Sequence, residues 1–128
     1  MQLHVPVSVG EVLDKITILQ IKLAHISDTN KRVNIQNELD ALLPLMAGDG
    51  FATDEMQGLM AELKSVNEAL WHIEDDIREK EAAKSFDAEF IKLARAVYVT
   101  NDKRAEIKKQ INLATGSALT EEKSYESY

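Results

Sequence analysis

Apolar residues recur along this chain at intervals of three and four, the spacing of one helical face rather than the alternation of a strand. The first stretch follows Val5-Pro6-Val7, a short extended lead-in, and opens at Ser8 with Glu11 three positions on. That S-x-x-E arrangement is a capping box. Val12, Ile16, Leu19, Leu23 and Ile26 continue as a seam that Leu13 and Ile21 widen, so the spacing predicts a helix to about Ile26 or Ser27 with more than one neighbour. Ser27-Asp28-Thr29-Asn30 punctuates the chain. Val33, Leu39, Leu42 and Leu43 then predict a shorter second helix ending near Pro44, antiparallel to the first because the connection is short. Met46 to Thr53, with two glycines and an aspartate, reads as a loop outside the core.

The strongest pattern runs from Asp54 to about Glu81, where Met56, Leu59, Leu63, Val66, Leu70, Ile73 and Ile77 share one seam. At about 1.5 Å per residue this helix is about 40 Å long, enough to be the spine of a bundle or to reach a partner subunit. Ser85 is the expected cap of a fourth region carrying Phe86, Phe90, Leu93, Ala94, Val97, Ile107 and Ile111. Its register also passes through Thr100 and Arg104, which leaves two readings open: a break near Thr100-Asn101-Asp102, or one long helix with a polar layer. Gly116 is the expected stop, and 117–128 is a polar tail, loose or docking its tyrosines on the bundle. The expected fold is all-α: a single domain over 1–128, a four-helix or five-helix antiparallel bundle with a short extended N-terminus.

Composition narrows the function classes. With 128 residues, 45% hydrophobic and 29% charged, the chain fits one packed domain rather than a disordered or fibrous one. A net charge of -7, from 15 basic and 22 acidic side chains, disfavours nucleic acid and anionic membranes as partners. The pairs Lys31-Arg32 and Lys108-Lys109 are too short to reverse this. The absence of cysteine excludes disulfides and thiolate chemistry. No apolar run approaches the roughly 20 residues of a membrane span, and Met1 to Val5 lacks an export signal, so a cytoplasmic protein is expected.

Four segments carry a resemblance: Val7-Ser8-Val9-Gly10-Glu11-Val12-Leu13-Asp14-Lys15-Ile16-Thr17-Ile18-Leu19, Leu70-Trp71-His72-Ile73-Glu74-Asp75, Asn101-Asp102-Lys103-Arg104, and Glu121-Glu122-Lys123-Ser124-Tyr125. Over nearly its full length the chain resembles a family of small bacterial helical proteins that brings no reaction to transfer. The resemblance implies a domain unit, not a role.

Candidate chemistry gathers in three places. Glu11, Asp14 and Lys15 offer a carboxylate pair and an i,i+4 ion pair, read either as capping and surface electrostatics or as the charged rim of a bundle opening. His72 lies three and four residues before Asp75 and Asp76, close enough for a carboxylate to orient the imidazole, although surface pairs such as Glu74 with Arg78 explain the same segment. Arg104 falls on an apolar seam beside Asn101 and Asp102; if inward, its guanidinium needs Glu74, Asp75 or a bound anion.

A metal reading would combine Glu74 and Asp75 with Glu11 or Asp14 around magnesium or manganese for phosphate chemistry. The denser E-x-x-E arrangement of all-helical nucleotide pyrophosphohydrolases is missing, as is the arginine spacing of all-helical chorismate mutases. The preferred expectation is a non-catalytic interaction or regulatory module that binds a protein partner or itself and needs no cofactor. The alternative is a small-anion-binding enzyme with a hard divalent ion.

Overall fold

A computed structural model describes residues 1–128. It contains four α-helices, α1 (Val9–His25), α2 (Thr29–Leu42), α3 (Asp54–Ala82) and α4 (Ala88–Thr115), arranged as an antiparallel bundle without strands. After α2 a single turn of 3-10 helix, Leu43–Met46, leads into the expected loop, which itself holds a second such turn, Asp49–Phe51, and neither buries a residue. No helix is long and apolar enough to cross a membrane.

The wide stripe of α1 is the centre of the core. Leu13, Ile16 and Leu19 pack with Ile35 and Leu39 of α2, Met56, Leu59 and Leu63 of α3, and Ile107 and Ile111 of α4. One helix therefore touches all three others, as its breadth requires. Val33, expected on the buried face of α2, is exposed, because Ile35 and Leu39 occupy that face instead. Arg32 closes the end of α1 by donating to the carbonyls of Leu23 and, at 3.0 Å, Ile26. Half of the Lys31-Arg32 pair is thus a helix cap for α1's orphan carbonyls.

α4 is one unbroken helix through Thr100-Asn101-Asp102, which selects the polar layer over the break. No Gly or Pro interrupts it, and Thr100 and Asn101 remain partly solvated, so the helix loses nothing it must recover elsewhere. Its cap is Asp87 rather than Ser85. The Asp87 carboxylate accepts the Phe90 N–H at 2.9 Å, and the Ser85 hydroxyl donates to it at 3.1 Å. Gly116, at φ +62°, ends α4 in the left-handed region that glycine adopts without strain.

α3 and α4 run on beyond the core as a two-helix arm. No residue between 71 and 106 is buried, although Ile73, Ile77, Phe90, Leu93, Ala94 and Val97 continue the apolar seams and stay half-exposed. The large apolar surface of Phe86 favours a core position, but the residue is exposed at the arm's tip, edge-on to Phe90.

Candidate functional site

At the base of the arm lies a cleft of about 450 Å³ shared by α1, α3 and α4. Ile18, Ile21 and Leu70 give it apolar walls, and Trp71 flanks them. Glu74, Asp75 and Arg78, one turn of α3, meet Asn101 and Arg104, which lie three apart on α4. Four residues singled out in the sequence, Glu74, Asp75, Asn101 and Arg104, therefore do converge. Arg104 is half-buried here and forms no ion pair; Glu74 pairs with Arg78 at 3.2 Å instead. The cleft thus presents a free guanidinium donor fork beside carboxylates of the opposite helix.

Asn67, which sequence reading missed, is the buried polar group of this cleft. Its Nδ2 donates to Asp14 Oδ1 and to Thr17 Oγ1, both at 2.9 Å, while its Oδ1 is buried without a hydrogen-bond partner. A buried acceptor left unpaired costs free energy, which sets Asn67 Oδ1 apart from the other buried polar side-chain atoms. The sequence did hold a signal: Asn67 lies four residues after Leu63 and three before Leu70, on the edge of the α3 seam where a polar side chain is packed inward.

Behind Asn67, Asp14 is buried and faces Lys108 at 3.9 Å. Lys108 also bonds Glu11 at 2.8 Å and Glu121 of the tail at 2.9 Å. Burial opposes its charge, but the two carboxylate bonds and the nearby Asp14 prevail and hold the ammonium above its ordinary value. The Glu121 carboxylate is correspondingly lowered by its Lys108 bond. Ser8 Oγ accepts the Glu11 N–H at 3.2 Å, so the predicted cap forms, but the Glu11 carboxylate turns to Lys108. Lys15 reaches Glu38 of α2 at 3.3 Å on the exposed surface, not Glu11, and takes no part in the cleft. Glu11 and Asp14 are therefore committed to an ammonium and do not meet Glu74 and Asp75 around a metal-sized space.

His72 lies on another face. Its Nε2 is 3.6 Å from Glu68 Oε1, one turn before it, rather than beside Asp75 or Asp76. His25, from the end of α1, places its own Nε2 2.6 Å from the same Glu68 oxygen and stacks on Trp71 with ring centres 5.1 Å apart. Neither His25 nor Glu68 stood out in the sequence, because the packing of α1 on α3 assembles them. Asp102 accepts the Tyr128 hydroxyl at 2.5 Å, and Tyr128 packs edge-on against Tyr98. The tail thus has no regular structure but does dock its last aromatic.

A family of unknown function, DUF6165, matches residues 3–128, and the chain belongs to it. No curated protein and no solved structure matches the chain.

Proposed function

We propose that this member of DUF6165 is a non-catalytic interaction module whose α3–α4 arm pairs with the arm of a second copy. The observation carrying this reading is the arm itself: apolar seams on two long helices continue past the core without burying one residue between 71 and 106. A second identical arm closes such a surface by two-fold symmetry into a local four-helix bundle. The arm also tolerates a copy of itself electrostatically. Residues 73–100 carry seven acidic and five basic side chains, so most of the chain's -7 charge lies elsewhere. Light scattering coupled to gel filtration tests this. The expected result is a dimer that Leu93→Glu and, independently, Ile77→Glu convert to a monomer with unchanged helical circular dichroism. A monomer across the accessible concentration range overturns the reading.

A second reading rests on Asn67 Oδ1 and Arg104. A cleft with a free guanidinium and an unpaired buried acceptor fits a small anion, carboxylate or phosphate, that also carries a hydroxyl or amine donor. Glu74 and Asp75 would then supply oxygen ligands for magnesium or manganese, the enzyme form of this reading. Calorimetric titration with inorganic phosphate and with hydroxy-dicarboxylates, with and without magnesium, reads it directly. Saturable binding lost in Arg104→Met supports the cleft, whereas no heat with any of these ligands removes it.

A further inference from the structure

The His25, Glu68 and His72 group, beside the cleft but not part of its lining, has the composition of a transition-metal site. We infer that it binds zinc or a similar first-row divalent ion through two imidazoles and one carboxylate. The three ligand atoms all lie within 4.8 Å of one another. Zinc bonds of about 2.0–2.1 Å at tetrahedral angles would set neighbouring ligand atoms about 3.3 Å apart. The observed separations from Glu68 Oε1, 2.6 Å to His25 and 3.6 Å to His72, bracket that spacing. Small side-chain rotations therefore open the space for an ion.

The scaffold supports the same conclusion. Glu68 and His72 are four apart on α3, so the helix itself points both at one spot. His25 is brought there by α1, and Trp71, stacked at an 18° interplanar angle, fixes its ring plane. Packing that orients a ligating imidazole lowers the ordering cost of metal capture. Two nitrogens and one oxygen, with no thiolate, favour zinc, cobalt, nickel or copper over magnesium and calcium, which want all-oxygen shells. His72 is the most exposed of the three, at 61% for its side chain, so the fourth position opens to solvent and takes water. Bound metal would tie the end of α1 to α3 next to the cleft.

Trp71 makes the test direct, since it is the sole tryptophan of the chain and touches a proposed ligand. Untagged protein treated with EDTA and desalted is titrated with cobalt(II), following Trp71 fluorescence and visible absorption, and then with zinc as competitor. The expected result is saturable one-to-one quenching at micromolar cobalt, the absorption of a four- or five-coordinate ion, reversal by zinc, and a Tm raised by roughly 5 °C in saturating zinc. His72→Ala and Glu68→Gln should each weaken binding by about tenfold or more while leaving the metal-free Tm and helicity nearly unchanged. His4→Ala, in the exposed N-terminal segment, and magnesium in place of cobalt serve as controls without effect. Absence of saturable cobalt or zinc binding overturns the assignment, as does binding that persists in both His72→Ala and Glu68→Gln.

Discussion

Lys108, with Asp14, is one of two charged residues buried in the bundle. It sits on α4 between Glu11 and Asp14 of α1 and Glu121 of the tail, joining three segments distant in sequence. Removing it strands the buried Asp14, so Lys108→Met should cost about 2–3 kcal/mol in urea unfolding. Its pH signature has two limbs. Glu121, lowered, contributes stability that is present above its ordinary value and lost as pH falls through the depressed one. Lys108, raised, contributes stability that is present below its ordinary value and lost as pH rises through the elevated one. The Tm should therefore be flat across neutral pH and fall at both ends, and Lys108→Met should weaken the alkaline limb and only part of the acid limb, since the Asp87 contribution remains. Gly10 sets the approach of α1 to the same stretch of α4. A Cβ there would lie 2.7 Å from the Lys108 carbonyl oxygen, and the Gly10 N–H donates to Asn112 Oδ1 at 2.7 Å. Gly10→Ala must push α1 off α4, and about 1–3 kcal/mol of destabilisation in the same assay is expected.

The helix ends are where local sequence acts on whole elements. Asp87, holding the start of α4, is lowered to about 2, first by the Phe90 backbone N–H and second by Lys80. Because the backbone bond is the larger cause, Lys80→Met should leave the Asp87 carboxyl midpoint, followed by NMR, still below 3.8. The stability tied to this cap is present above that ordinary value and lost as pH falls toward 2. At the other end of the same turn Lys84 holds φ +52°, a conformation that costs a side-chain-bearing residue. Lys84→Gly should raise stability by roughly 0.5–1 kcal/mol in thermal unfolding, since glycine takes up that conformation without strain.

At the scale of the molecule, burial is concentrated in the base and absent from the arm. All ten residues of the principal core lie outside 71–106. Leu63, fully buried, should cost about 3–4 kcal/mol as Leu63→Ala, whereas Leu93→Ala, on the half-exposed seam, should cost about 1 kcal/mol in the monomer. Comparing the two at low and high protein concentration separates folding from pairing, because only the Leu93 cost should grow with dimer formation.

The sequence alone determined the helices, because a three-and-four apolar spacing is a property of one segment and survives whatever it packs against. It placed α3 within a residue of its observed end, gave Ser8 and Gly116 their capping roles, and put Arg104, Asn101, Glu74 and Asp75 on short stretches that could face one another. It misplaced Val33 and Phe86, since being apolar does not say which side of a helix a neighbour covers. Only the tertiary structure decided that Glu11 and Asp14 turn to Lys108 rather than to Lys15 or a metal, and that His72 meets Glu68 and His25. Those outcomes depend on which helices cross and how closely, a distance set by Gly10 against Lys108 and by the shared core, and no periodicity along one strand of sequence encodes it.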